Sequence, residues 1–165
     1  MLVPISRTSW LALAASVALG SLIGCASLVE GDTAPDWLLA DLAGQTHDFA
    51  AYRGQVIILD FWATWCAPCL PVGRFLNSLH AQYGDQGLQI LALHYDASGN
   101  PGSFAREHGY AYTVFPDGQQ VAKLYGVSKI PTLMVIDRDG MIIHRQTGFA
   151  ETDTVKLKNL IETSL

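Results

Sequence analysis

The chain reads as an α/β domain in which a central mixed β-sheet is flanked by helices, and three observations predict it. A β-branched and aliphatic run at 56–61 has the composition of a strand buried on both faces, and a polar break at Ala63 and Thr64 follows it. A second apolar run at 88–94, with helical patterns between and after the two, makes a βαβ alternation that calls for a right-handed crossover and a parallel pair. Near the C-terminus, 132–136 and 141–147 flank the turn Asp137-Arg138-Asp139-Gly140, which predicts an antiparallel hairpin at the far edge of the sheet.

Size and composition bound the rest. Of 165 residues, about 140 remain once the N-terminal segment is set aside, enough for one domain with its own core. Half of the chain is apolar and 15% is charged, a globular composition. The formal net charge is −5 and no basic run occurs, which argues against nucleic acid as a partner.

The first element is a leader. One basic side chain, Arg7, precedes an alanine- and leucine-rich apolar stretch at 10–23 that ends in small residues, the pattern of a secretory signal peptide over 1–24. Leu22-Ile23-Gly24-Cys25 resembles the bacterial lipobox, in which the leader is cut before the cysteine and the cysteine is lipidated. An uncleaved anchor is the alternative, because no charge occurs from Thr8 to Val29 and a spanning helix needs about 20 residues. Either way the domain is tethered to a membrane outside the cytoplasm, in the periplasm or on an extracytoplasmic face. Residues 25–33 are then a lipid-anchored tether, and 34–165 the domain.

The domain opens at Ala34-Pro35-Asp36-Trp37, and 37–40 and 46–49 read as a small N-terminal β-hairpin around Asp41-Leu42-Ala43-Gly44. After the strand at 56–61, a helix is expected from Cys66 to about Tyr83, with Val72, Phe75, Leu76, Leu79 and Tyr83 inward and Gly84 as its C-cap. Asn100-Pro101-Gly102-Ser103 introduces a short helix through His108, and 119–125 forms another, closed by Gly126. Thr152 is the expected N-cap of the last helix, whose apolar stripe is Val155, Leu157, Leu160 and Ile161.

Chemistry concentrates at Trp65-Cys66-Ala67-Pro68-Cys69. Cysteines at i and i+3 on the first turn of a helix share a face, so their sulfurs can close a small disulfide without moving the backbone. Unpaired N–H groups and the macrodipole at a helix start favour a thiolate, which marks Cys66 as the nucleophile and Cys69 as the resolving thiol. A purely structural bridge would close too short a loop to restrain the unfolded chain much. A structural zinc site needs about four ligands, and the third cysteine, Cys25, lies in the leader. The five histidines show no ligand spacing; His94, at a strand end, is the one of most interest.

The segment Asp60-Phe61-Trp62-Ala63-Thr64-Trp65-Cys66-Ala67-Pro68-Cys69, with Ile130-Pro131-Thr132 downstream, resembles the active site of the thioredoxin superfamily. From about Ala34 onward the chain is similar to its membrane-anchored TlpA/ResA-like branch, to which an N-terminal hairpin extension belongs. The resemblance implies a thioredoxin fold, a redox disulfide between Cys66 and Cys69, and no cofactor. It implies a cis Pro131 packed against the cysteines, with Ile130 presenting its backbone to the substrate. Trp65 is expected on the docking surface and Trp62 in the core.

Asp60 alternates with Val56 and Ile58, so its side chain should point inward, where burial raises a carboxyl pKa. In thioredoxins this position is assigned the proton transfer that readies the second cysteine. The branch usually carries Glu three residues after that cysteine, where this chain has Val72, and more often Asn at the Asp60 position; the exchanges look complementary. Pro71 departs as well, and removes a helix N–H near the start.

The function expected is reduction of disulfides in exported client proteins, for instance in cytochrome c or copper-centre assembly. Electrons would come from a membrane thiol donor of the DsbD or CcdA kind, and the protein would act as a monomer. Two alternatives are a peroxiredoxin-like thiol peroxidase and a copper-binding assembly factor. The peroxidase places Thr where Ala63 stands, and the copper factor favours a wider cysteine spacing.

Overall fold

The computed structural model describes residues 27–165; the leader and Cys25 lie outside them. Strand β1 (Leu38–Ala40) and strand β2 (Thr46–Asp48) form the predicted hairpin, antiparallel and separate from the main sheet. Five further strands follow: β3 (Val56–Trp62), β4 (Leu88–His94), β5 (Thr113–Phe115), β6 (Thr132–Ile136) and β7 (Ile142–Thr147). They lie in the order β5-β4-β3-β6-β7. The pairs β3/β4 and β4/β5 are parallel, while β3/β6 and β6/β7 are antiparallel. The sheet is mixed, with helices α1 (Cys69–Tyr83), α2 (Pro101–Glu107), α3 (Gln119–Leu124) and α4 (Glu151–Ser164) around it.

β3 is central because every one of its residues is buried, as the apolar run demands. Its side chains alternate between two cores. Val56, Ile58 and Trp62 pack with α1, with Ala105 of α2 and with Leu157 and Ile161 of α4. Ile57, Leu59 and Phe61 pack with α3, with Tyr125 and with Trp37 and Phe49 beside the N-terminal hairpin. Arg53 ties that N-terminal part to the sheet, donating to the Ala34 carbonyl at 2.8 Å and to Asp36 at 2.7 Å.

Residues just ahead of Ala34 are hydrogen-bonded to the sheet. Gly31 N–H donates to Ile142 O, and Ile142 N–H to Asp32 O, so this segment covers the outer edge of β7.

Several boundaries differ from the sequence-based expectation. α1 begins at Cys69 and not Cys66, because the Cys66 and Cys69 amides bond three residues back, to Ala63 and Cys66, as turns do. Pro71 is therefore the third helical residue, where the amide has no intrahelical partner in any case, and it breaks no helix bond. After Tyr83 a 3-10 turn (Gly84–Gln86) intervenes, so the left-handed residue is Gly87, at φ 101°, and not Gly84.

α4 starts at Glu151, one residue before the expected Thr152 cap. Ala150 has no capping side chain, and Asp153 accepts from the Ala150 amide at 2.8 Å instead. Val155 is 64% exposed, so the stripe narrows to Leu157 and Ile161 with Leu160 at its margin.

Gly73 shows how closely α1 approaches its neighbours. A Cβ there would lie 2.3 Å from the Tyr110 hydroxyl oxygen and 2.6 Å from its ring. Gly73→Ala is expected to destabilise the fold by about 1 to 3 kcal/mol, read as a lower urea midpoint with unchanged slope, because the ring is boxed in by Trp62 and Tyr112.

Candidate active site

Where β3 ends, the chain turns through Ala63 to Pro68 and enters α1, and that turn holds both cysteines. Cys66 and Cys69 form a disulfide with S–S 1.99 Å and Cα–Cα 5.3 Å. Both are buried, at 4% and 2%, so exposure does not separate them. Position does: Cys66 sits in the turn ahead of the helix, next to Trp65, and Cys69 is the first helical residue. The amides of Cys66, Cys69 and Leu70 are taken up by carbonyls three residues back, so it is the positive end of the α1 dipole that favours a sulfur anion released on reduction.

Trp65 is 60% exposed and is the large apolar side chain beside the disulfide. Its indole N–H donates to Asp96 Oδ2 at 2.7 Å, which fixes the ring against the loop after β4. Burial pushes the Asp96 carboxyl up, but hydrogen bonds from Ser98 and Trp65 outweigh it, and the net pKa is below the usual carboxylate value. Sequence reasoning missed Asp96, whose partner lies 31 positions away. Just before β6 the Ile130–Pro131 bond is cis, as expected. Ile130 borders both cores, and Pro131 is buried, with its carbonyl held by the Gly148 amide at 2.8 Å. Thr132 donates to Lys129 O and meets Thr147, securing the start of β6.

On β3, Asp60 shares the α1 side of the sheet with Ile58 and Trp62, as its alternation predicts, and it is 1% exposed. Its Oδ1 makes no hydrogen bond, so no backbone amide satisfies that oxygen. Burial pushes its pKa up to about 7. Val72, where the branch usually has Glu, is fully buried in the core that contains both cysteines. The carboxyl on this side of the sheet thus comes from the strand and not the helix.

His94 is buried with both ring nitrogens unpartnered and its ring edge-on to Trp62 at 5.2 Å. Trp62 is wholly buried, as expected of a core residue.

A buried disulfide at a helix start, a cis-proline opening the strand that pairs with β3, and a buried carboxyl on β3 define a thioredoxin-fold redox protein. The AhpC/TSA family matches residues 30–145, and the chain belongs to that family. Within it, the chain is 38% identical to the thiol-disulfide oxidoreductase ResA of Geobacillus thermodenitrificans over 79% of its length and 76% of the relative's. It is 30% identical to ResA of Bacillus subtilis over 76% of its length and 71% of the relative's. A crystal structure from Chlorobium tepidum, assigned as a thiol:disulfide interchange protein DsbE, superposes with a TM-score of 0.77 at 35% identity, covering 84% of this chain and 99% of that one. The chain is a member of the ResA-like thiol-disulfide oxidoreductases.

Proposed function

We propose that this protein is an extracytoplasmic reductase of client disulfides, held at the membrane through lipid on Cys25 after removal of residues 1–24. The observation that carries the redox assignment is the Cys66–Cys69 bridge at the entry to α1 with a buried, proton-active Asp60 on the same side of the sheet. Reduced Cys66 attacks one client sulfur, forming a mixed disulfide and expelling the other as a thiolate. Asp60 takes the proton of Cys69, whose sulfur attacks Cys66; the second client sulfur leaves and the protein is oxidised. Two electrons pass from the cysteine pair to the client. A membrane thiol donor of the DsbD or CcdA kind restores the dithiol. Exported apocytochromes c and copper-centre proteins are fitting clients, since both need free cysteines in an oxidising compartment.

The client segment lies along Ile130 as an added strand, with Trp65 covering it. Asp96→Asn removes the charge that accepts the indole N–H. It is expected to raise KM for a peptide disulfide about five-fold with kcat unchanged, which steady-state kinetics would read.

The family also accommodates a peroxidase reading. Purified reduced protein given a peptide disulfide and hydrogen peroxide in parallel separates them: fast disulfide cleavage with peroxide turnover near background is expected, and the reverse overturns the reductase. Mass measurement of the mature N-terminus should find a lipidated Cys25; an intact leader would overturn the lipid anchor.

A further inference from the structure

Buried polar atoms that no hydrogen bond reaches are rare in folded proteins, and they point to ordered water. Among the described residues eight side-chain atoms stand in this condition. Seven belong to one cluster: Asp60 Oδ1, Trp62 Nε1, both nitrogens of His94, the hydroxyls of Tyr110 and Tyr112, and His80 Nδ1. Their rings form a continuous file, with centroids 5.2 Å apart for His94 and Trp62, 5.4 Å for Trp62 and Tyr110, 5.1 Å for Tyr110 and Tyr112, and 6.4 Å for Tyr112 and His80. Asp60 stands two residues before Trp62 on the same face of β3.

The file ends at the surface. Tyr112 and His80 line a cleft of about 340 Å³ together with Gln89 and Ile90. Those two residues pair with Ile57 and Ile58, so the cleft lies beyond Asp60 on the side away from the cysteines. Gly73 leaves the Tyr110 hydroxyl room against α1 that any side chain would take.

We propose that the hydroxyls of Tyr110 and Tyr112, bridged by water, carry protons between Asp60 and solvent at the cleft beside His80. The inference rests on the reading of Asp60 as the group that takes the Cys69 proton. At that moment a client covers the mouth of the site, and the carboxyl needs another way to discharge. Each hydroxyl accepts one proton and passes on its own, so one proton leaves Cys69, one reaches bulk water, and no tyrosinate forms. That agrees with both phenols being held above their ordinary pKa, by burial first and then by the Asp60 charge. The titratable or charged groups facing this path are Cys66, Cys69, Arg74 and His80 from the turn and α1, His94 from β4, the two tyrosines from the segment before β5, and Asp41 from the N-terminal hairpin, which lines the cleft at its outer end.

The test uses the full chain with Tyr110 and Tyr112 both changed to Phe, each change keeping the ring and removing only a hydroxyl whose one protein neighbour is the other tyrosine's hydroxyl. The Asp60 carboxyl is titrated by carbon NMR, and resolution of a preformed mixed disulfide is timed in single turnover. The path predicts a rise of the Asp60 pKa by about half a unit or more, and a resolution step slowed about five-fold with a larger solvent isotope effect, while attack by Cys66 is unchanged. An unaltered carboxyl pKa together with an unaltered resolution rate overturns it. If Asp60→Asn leaves resolution untouched, the reading of Asp60 fails by itself; the carboxyl pKa of the Phe variant then decides alone, and no change overturns the path.

Discussion

Replacing Cys69 by Ser should arrest the reaction halfway, leaving client proteins bonded to Cys66, while replacing Cys66 by Ser should leave nothing bonded at all. The two sulfurs are equally buried in the oxidised form, so the asymmetry must come from their places in the chain. Cys66 precedes the first helical residue and follows exposed Trp65, where a client sulfur can approach. Its anion also lies at the positive end of the α1 dipole. Cys69 is within the helix and can reach only the sulfur it already bonds. Loss of either cysteine should lower steady-state disulfide reduction by about 10³-fold or more. Only the Cys69→Ser protein should accumulate a covalent adduct, visible on a non-reducing gel and abolished by reductant. Adducts on Cys69 in the Cys66→Ser protein, at comparable yield, would reverse the assignment. Mass spectrometry of the trapped adducts from the native host would name the clients.

Much of this was legible in the residues, and what was not has a physical cause. The run at 56–61 could only be a doubly buried strand, and Asp60 within it could only face inward, opposite Ile57 and Leu59. The start of α1 was misplaced because turn bonds three residues back hold Cys66 without making it helical, and spacing alone does not separate the two. β5 escaped because three edge residues are too few to display alternation. Val155 belonged to a stripe drawn too wide: α4 buries Leu157 and Ile161 in the core shared with α1, keeps Leu160 at its margin and leaves Val155 in solvent. Asp96, Tyr110 and Tyr112 carry no local signature. Their meaning lies in partners that only the fold brings near, though the alternation of Tyr110 and Tyr112 ahead of Thr113 was a hint of two rings on one face.

The largest effect on stability should come from Asp60→Asn, and its sign depends on pH. An unfolded aspartate titrates near 3.8, and burial moves the folded one to about 7. Below about pH 4 the carboxyl is protonated in both states, and asparagine, nearly its equal in shape and polarity, should change little. Between about pH 4 and 7 the unfolded chain releases this proton and the folded one keeps it, so wild-type stability falls steadily as pH rises. Above about pH 7 both states are ionised and the penalty is constant, of order 4 kcal/mol for a shift of roughly three units. Asn carries no such penalty. The difference in urea-unfolding free energy between Asp60→Asn and wild type should therefore grow across that window and level off above it, with the variant the more stable protein. Activity should move the opposite way: without a proton acceptor, resolution by Cys69 should slow about 100-fold near neutral pH and lose the inflection near pH 7 that the wild type shows. A variant that is more stable yet slower identifies a charge kept in the core for chemistry. Equal stability at pH 8, or an unchanged pH profile, would mean that burial does not raise the carboxyl's pKa and that it does not serve the second cysteine.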